Sequence, residues 1–131
     1  MAIEIYYTGA RKVNADIDGF TVSTDQSMQS GGEGSAPTPF SLFLASLGTC
    51  AGIYVKSFCD QRGIDTSKVR LNMDYQYDNV QKTISKFILN IYVPADFPEQ
   101  YDVAVIKTAS LCAVKRHLNP AIENEINVIR G

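Results

Sequence analysis

The chain contains a single histidine and only three cysteines, and no two cysteines show the short Cys-x-x-Cys spacing of a zinc site. One histidine cannot complete a mixed zinc site, so we expect no metal and no other cofactor. An odd number of cysteines in 131 residues argues against a structural disulfide framework. We therefore expect thiols, and any disulfide should be transient and chemical.

An excess of positive charge is also missing, since 12 lysines and arginines face 14 aspartates and glutamates. A net charge of -2 provides no field to hold a polyphosphate backbone, and we expect no nucleic acid partner. The first residues read as a strand and lack the basic start and apolar core of a secretory signal, which favours a cytoplasmic location. The length and the 45% hydrophobic content suit a single domain over residues 1–131.

Charged residues are absent between Glu33 and Lys56, and this segment is apolar or small on every side. Thr38 suits the N-cap of a helix with Pro39 at its first position, and Gly63 suits its end. The segment approaches the ~20 residues that span a bilayer, which is the rival interpretation. Its serine, threonine and glycine residues make it only moderately hydrophobic. We expect a buried central helix and no membrane partner.

The N-terminal part should form antiparallel strands followed by a loop. Residues 13–17 and 20–24 flank Asp18-Gly19, a pair that tolerates the positive φ angles of a tight hairpin turn. Residues 26–37 are rich in glycine and serine without an apolar period, which predicts a mobile loop. A phosphate-binding loop is excluded because no Gly-Lys-Ser/Thr follows.

The second half alternates apolar and polar residues strictly over 69–78, which is the period of a half-buried strand. One face of the next strand is apolar and consists of Phe87, Leu89, Ile91 and Val93. The two strands should therefore form a long hairpin with one solvent-exposed face. The inner face needs a helix to cover it.

A second helix should follow this hairpin. Asp96 is a candidate N-cap with Glu99 three residues later, Cys112 falls on the apolar stripe, and Asn119-Pro120 should end the helix. A short last strand is expected at 126–128. The order of strands, helix, hairpin, helix and strand predicts an α+β fold.

The cysteines divide into those that can and cannot meet. Cys50 and Cys59 are nine residues apart on the first helix, which separates them by ~13 Å of rise, beyond the ~7 Å reach of a disulfide. Cys112 is the possible intrachain partner of Cys50 if the two helices pack together. The structural alternative is that all three are small core hydrophobes.

A thiol with a pKa near 8.5 needs a nearby cation to react at neutral pH. Glu33 is the acidic residue that the glycine-rich loop could bring to the first helix, although such a residue is more often solvated. A cation near the end of the second helix can equally be there because it interacts favourably with the negative C-terminal end of the helix dipole. The candidate cations are Arg11, Arg62, Lys115, Arg116 and His117.

The stretch SAPTPFSLFLASLGTCAGIYVKSF resembles the signature of the OsmC/Ohr family of osmotically inducible and organic hydroperoxide resistance proteins. Its features are a proline-led apolar helix and small residues before a cysteine. LCAVKRHL resembles the second cysteine helix of the family, and the order of elements matches over nearly the whole chain. The resemblance implies antiparallel sheets wrapped around two central helices in an intertwined homodimer. A helix that is apolar all round is hard to cover within 131 residues, which agrees with this.

The resemblance, which fits the general OsmC-like branch, also implies a chemistry. The thiolate matched by Cys50 attacks an organic hydroperoxide and becomes a sulfenic acid, and the thiol matched by Cys112 condenses with it. An external dithiol then restores both thiols. Arg11 matches, by its place in the N-terminal strands, the arginine that stabilises the thiolate.

One position departs from the family pattern. Phe40 follows Pro39 where hydroperoxide-reducing relatives have a glutamate, so the carboxylate that orients the arginine is missing there unless Glu33 replaces it. A second hypothesis follows from this departure. The chain would then be a non-catalytic OsmC-like dimer that binds an apolar small molecule in an interface pocket lined by Phe40, Phe43 and tyrosines.

Overall fold

A computed structural model describes residues 2–112, 114, 117–118 and 120–131. The chain forms two compact units, Met1–Ala45 and Ser46–Gly131. The α-helices and the two three-stranded sheets of the described residues confirm the α+β class. The elements are β1 (Glu4–Gly9), β2 (Lys12–Ile17), β3 (Phe20–Thr24), α1 (Pro39–Gln61), β4 (Arg70–Asp78), β5 (Thr83–Val93), α2 (Asp102–Ala109) and β6 (Glu123–Arg130).

The sheet of the first unit has the antiparallel order β1-β2-β3. Ile17 pairs with Phe20, and the two residues between them, Asp18 and Gly19, have φ angles of 51° and 82°. Positive φ at both central positions is the geometry of a two-residue hairpin turn that matches strand twist. The predicted hairpin is confirmed.

The loop over residues 26–37 is built around Asp25, where we expected a segment without its own structure. Asp25 is fully buried, and its carboxylate accepts hydrogen bonds from the backbone N–H groups of Gln26 (2.7 Å), Glu33 (3.3 Å) and Ser35 (3.1 Å) and from the Ser35 hydroxyl (2.6 Å). A Cβ on Gly32 would lie 2.1 Å from the Gln26 carbonyl oxygen, so glycine is required there. A buried charge is tolerated because inward-pointing donors replace its water.

Helix α1 begins and ends as predicted. The Thr38 hydroxyl accepts from the Ser41 N–H at 3.2 Å, and Pro39 is the first helical residue. At the other end the N–H of Ile64 donates to Cys59 and that of Gly63 to Asp60, with Gly63 at a φ of 67°. This is a Schellman ending, which satisfies carbonyls that the helix leaves open.

Helix α1 is long and apolar enough to cross a bilayer by length and composition. In this fold, however, one side of the helix is packed into protein. That side contributes Leu47, Ala51, Val55, Phe58 and Cys59 to the interior.

The sheet of the second unit has the order β4-β5-β6. Inward residues align across all three strands, so that Ile91 of β5 lies between Leu71 and Val128. The predicted inner face of β5 is confirmed. It packs with α1 and α2 in a core of Ala51, Val55, Phe58, Cys59, Leu89, Ile91, Val93, Phe97, Val105 and Ala109.

Two features of this sheet differ from expectation. We expected antiparallel sheets, but strand β6 runs parallel to β5. The chain passes through α2 between the two strands, and a crossover connection of this kind joins parallel strands. The alternation of β4 holds as far as Met73, while Tyr75 and Tyr77 are 40% and 49% exposed beside a register shift.

Helix α2 is shorter than predicted and begins differently. A 3₁₀ turn at Glu99–Tyr101 precedes it, with Pro98 rather than Asp96 at the N-cap, and α2 ends at Ala109. The Ser110 hydroxyl donates to the Lys107 carbonyl at 2.6 Å, and such side-chain bonds compete with helical ones. Asn119, where we expected the end, lies outside the described residues.

An ion pair ties α2 to the last strand. The Arg130 guanidinium binds the Asp102 carboxylate through two hydrogen bonds and also donates to the Phe97 carbonyl at 3.1 Å. The hydrogen bonds from Arg130 lower the pKa of Asp102, which lies in the first turn of α2. A bidentate contact of this kind fixes orientation as well as adding energy.

Replacing Asp25 with asparagine should destabilise the protein at neutral pH. Hydrogen bonds from Ser35 and Gln26 lower the pKa of Asp25 to about 2 from 3.8, so its stabilising effect is full above pH 4 and is lost as the pH falls towards 2. The melting temperature of Asp25→Asn should lie below wild type at pH 7, and the gap should narrow below pH 4.

Asp65→Asn is the matched control, because Asp65 also accepts hydrogen bonds from the Ser67 N–H and hydroxyl but is exposed to solvent. Asp65→Asn should lower the melting temperature at pH 7 by less than Asp25→Asn does. A gap between wild type and Asp25→Asn that stays constant from pH 7 to pH 2.5 would contradict the role of the carboxylate charge.

Candidate two-cysteine site

Cys50 lies in the middle of α1 at the border of its buried face. The helix turns by 100° per residue, so Cys50 is about 60° around the axis from Leu47. Leu47 and Ala51 are both 6% exposed, while Cys50 is half-buried. Cys50 thus belongs to the turn that packs into the core, but its side chain leaves at the edge of the packed surface.

Cys112 lies three residues beyond the end of α2 and is 1% exposed. Its sulfur lies 4.0 Å from the carbonyl oxygen of Leu47. Leu47 precedes Cys50 by three residues, which is less than one helical turn. Cys112 therefore packs against the turn of α1 that carries Cys50.

A cavity of about 30 Å³ borders Cys112 in the second unit. A cavity needs ~10–15 Å³ to hold a water and one of ~150 Å³ binds benzene, so the space suits a water or one added oxygen on sulfur, but no organic molecule. The wall consists mostly of apolar side chains. It is lined by Leu47, Ala51, Met73, Phe87, Leu89, Ala109, Cys112, Asn124, Glu125 and Ile126.

Cys59 has a structural environment. It is fully buried in the core, and burial raises the pKa of its thiol. A raised pKa disfavours the thiolate, which is the nucleophilic form. Cys59 therefore acts as a small hydrophobic residue of the core, as the structural alternative for the cysteines predicts.

The predicted site residues of the first unit lie in its turns and loop. Arg11 occupies the turn between β1 and β2 and is exposed, and its side chain runs beside Gly31. The Glu33 carboxylate accepts from the Lys12 ammonium at 2.7 Å. This hydrogen bond also raises the pKa of Lys12. Glu33 is thus engaged by Lys12, a cation that sequence reasoning did not single out.

Phe40 and Phe43 lie at the start of α1. Their ring centroids are 5.9 Å apart with the planes tilted by 30°. Phe40 remains 47% exposed. The pair presents aromatic surface at the position where the family pattern places a carboxylate.

Two of the remaining candidate cations, Arg62 and His117, lie within the described residues. Arg62 donates to the Phe58 carbonyl at 3.0 Å and stacks on the Phe58 ring. His117 is exposed in a turn, and its backbone N–H donates to the Val114 carbonyl. Lys115 and Arg116 lie outside the described residues. Within the described ranges, no three His, Cys, Asp or Glu side chains cluster as metal ligands do.

Sequence reasoning missed Asp25 as well as Lys12. Asp25 directly precedes the glycine- and serine-rich stretch, and aspartate often binds the backbone N–H groups of a following turn. That signal could have predicted an ordered loop. Its burial could not be read from the sequence, because it depends on the fold of the entire loop.

The family model described as OsmC-like protein matches residues 32–127 of the chain. No curated protein matches the sequence.

Solved structures share the fold at low sequence identity. A Psychrobacter arcticus protein assigned to the osmotic stress induced and detoxification response has a TM-score of 0.82 and 18% identity, with 98% of this chain and 96% of that chain covered. The OsmC like protein from Mycoplasma pneumoniae has a TM-score of 0.78 and 14% identity, with 98% of this chain and 95% of that chain covered. The organic hydroperoxide resistance protein OsmC from Legionella pneumophila has a TM-score of 0.67 and 17% identity, with 98% of this chain and 96% of that chain covered.

Native alkylation should separate the three cysteines by exposure. With iodoacetamide at pH 8, Cys50 should react first, and Cys59 and Cys112 should react at least about tenfold more slowly because each needs local opening. Mass spectrometry of tryptic peptides gives the order. In guanidinium chloride all three should react alike, and native labelling of Cys59 or Cys112 ahead of Cys50 would contradict the assigned burial.

Proposed function

Because the chain belongs to the OsmC-like family, we propose that it reduces organic hydroperoxides through a two-thiol cycle, with Cys50 as the peroxidatic and Cys112 as the resolving cysteine. The observation that carries the proposal is the packing of the Cys112 sulfur 4.0 Å from the Leu47 carbonyl, on the turn of α1 that holds Cys50. A sulfenate-to-disulfide step requires the second thiol to reach the first, and a thiol packed against the turn that carries Cys50 supports this.

The cycle balances in three steps. The Cys50 thiolate attacks the outer peroxide oxygen, the O–O bond breaks, and the products are Cys50 sulfenic acid and, after protonation, an alcohol. The Cys112 thiol then attacks the Cys50 sulfur, and water leaves as the disulfide forms. An external dithiol reduces this disulfide by thiol exchange and becomes oxidised itself.

The two exposures support this assignment of roles. A half-buried Cys50 can meet a substrate, whereas a 1% exposed Cys112 is shielded from one. The cavity beside Cys112 is too small for an organic peroxide. Attack by the external dithiol should therefore occur at the Cys50 sulfur, with Cys112 as the leaving thiol.

We assign Arg11 as the cation that favours the Cys50 thiolate, on the basis of the family resemblance and the need for a positive charge near a reactive thiol. Glu33 is our candidate for the missing family carboxylate, and its ion pair with Lys12 means that it would act together with that cation. Phe40 and Phe43 would contact the organic part of the substrate.

The assembly and location belong to the same proposal. Ile53 of α1 is 58% exposed and Phe40 is 47% exposed, and apolar helix surface of this kind favours cover by a second copy in a homodimer. We propose that residues 1–131 act as one domain, since the family match runs through both compact units. A cytoplasmic location, where thiols persist in reduced form, suits the cycle.

The cysteine variants should divide by role. Wild type should consume cumene hydroperoxide in the presence of dihydrolipoamide, Cys50→Ser should lose activity by at least about a hundredfold, and Cys112→Ser should turn over once and then stop as the sulfenic acid. Peroxide consumption and intact mass report both outcomes.

Cys59→Ser is the matched control and should retain activity if it folds, because Cys59 lies in the core cluster. Mild peroxide should produce a Cys50–Cys112 disulfide in wild type, visible as a loss of two mass units and a cross-linked peptide. Equal turnover by wild type and Cys50→Ser would refute the catalytic role.

A second candidate function is non-catalytic binding of an apolar small molecule. The aromatic surface of Phe40 and Phe43, in place of a carboxylate, is the observation that favours it. Wild type would then bind an apolar ligand, and Phe40→Glu would weaken that binding while no hydroperoxide was consumed.

Arg11 provides the test that separates the two functions. If Arg11 stabilises the thiolate, Arg11→Gln should slow the alkylation of Cys50 at pH 7 several-fold, because less of the thiol is ionised. Arg70→Gln is the control, since the Arg70 guanidinium stacks on Tyr92 at 3.9 Å in the second sheet. Equal slowing in both variants, or none in Arg11→Gln, would remove Arg11 from the site.

A further inference from the structure

A groove of about 450 Å³ opens at one end of the β4-β5-β6 sheet. Pockets of about 300–1,000 Å³ are the usual size for small-molecule ligands. The groove is lined by Lys68, Arg70, Tyr92, Val93, Pro94, Ile129, Arg130 and Gly131. It therefore contains none of the three cysteines and is a site apart from the two-thiol chemistry.

The groove lies on the face of the sheet that points away from the helices. Arg70, Tyr92 and Ile129 pair in one row across the three strands. The adjacent row, which includes Ile91, points the other way and packs into the core formed with α1 and α2. The surface of α1 that we assign to the homodimer is thus on the other side of this sheet.

Lys68 and Arg70 project to the same side of the chain. Val69, which stands between them, has an extended backbone with a φ of -101° and a ψ of 133°, and it packs against the core. Alternate side chains of an extended segment point to opposite sides, so both cations point away from the core. Two residues of extended chain span about 7 Å, and two long side chains can reach one anion across that distance.

Arg70 is held in place without being neutralised. Its guanidinium carbon lies 3.9 Å from the centre of the Tyr92 ring. In the part of the chain that the structure describes, neither Lys68 nor Arg70 belongs to an ion pair. Arg130 differs, because both of its terminal nitrogens bind the Asp102 carboxylate. The charge offered to a ligand therefore comes from Lys68 and Arg70.

No side chain in the lining of the groove is acidic. The nearby Asp65 borders a neighbouring pocket, and its carboxylate accepts hydrogen bonds from the N–H and the hydroxyl of Ser67. Two cations that point the same way repel each other, and an anion between them relieves this repulsion. Stacking of Arg70 on Tyr92 alone would require neither the second cation nor the groove.

We propose that this groove binds an organic phosphate monoester, with the phosphate between Lys68 and Arg70 and the organic part against Pro94 and Ile129. A guanidinium matches two phosphate oxygens with paired donors, and an ammonium adds a point charge. A phosphate monoester carries a charge of about -1.5 to -2 at neutral pH, which two cations neutralise. The groove is larger than a phosphate ion, and Ile129, at 36% exposed, adds apolar surface for an organic group.

Isothermal titration calorimetry with phenyl phosphate tests the groove without any redox step. Wild type should bind phenyl phosphate more tightly than inorganic phosphate, which lacks the ring, and more tightly than benzenesulfonate, which carries a single charge. Arg70→Gln should weaken the binding of phenyl phosphate about tenfold and Lys68→Gln several-fold, because charge-assisted hydrogen bonds are worth about these factors.

Two variants outside the groove are the matched controls. Arg62 also stacks on an aromatic ring, with its guanidinium carbon 3.6 Å from the centre of the Phe58 ring. Lys82 lies between β4 and β5, at the other end of that hairpin. Arg62→Gln and Lys82→Gln should bind phenyl phosphate as wild type does. Arg70→Lys should keep part of the affinity, and it keeps the test valid if circular dichroism shows that Arg70→Gln does not fold.

Amide chemical shifts locate the ligand on the protein. Phenyl phosphate should shift the backbone amide signals of Tyr92, Ile129 and Gly131 and leave that of Cys50 unchanged. No binding by wild type, equal losses in Arg70→Gln and Arg62→Gln, or shifts confined to residues outside the groove would each overturn the proposal. Equal affinity for inorganic phosphate and phenyl phosphate would overturn the assignment of the organic part.

Discussion

The contact between Cys112 and the Leu47 turn of α1 is the constraint on which the candidate chemistry depends. It joins a helix in the middle of the chain to a residue more than sixty positions later. Close packing around both partners maintains it, since Leu47 is 6% and Cys112 is 1% exposed. A closely packed core moves little, so the contact between Cys112 and Leu47 is as fixed as the core itself.

The same core assigns different properties to three chemically identical side chains. Cys59 is sealed among Val55, Phe58 and Val105, and burial raises the pKa of its thiol. Cys112 is buried but borders a cavity with room for one oxygen. Cys50 leaves the helix at the edge of the packed face and is half-buried. The three thiols thus differ in exposure and in the space beside them.

In the first unit, the loop is organised around the buried carboxylate of Asp25. Asp25 is buried because the loop folds its own N–H groups onto the carboxylate, and Gly32 permits the backbone to approach that closely. Glu33, carried by this loop, pairs with Lys12 of β2. A segment with the composition of a flexible linker is in this way organised by a single charge.

The sequence by itself determined the local structure and the family. Thr38, Pro39 and Gly63 marked the ends of α1, Asp18-Gly19 marked the hairpin turn, and the alternation of β5 identified its buried face, because each signal acts within a few residues. Only the tertiary structure decided which thiol is accessible, that β6 is parallel to β5, that α2 stops before Cys112 and that Arg62 stands over Phe58. These features arise from contacts between residues far apart in the chain, and no local pattern encodes such contacts.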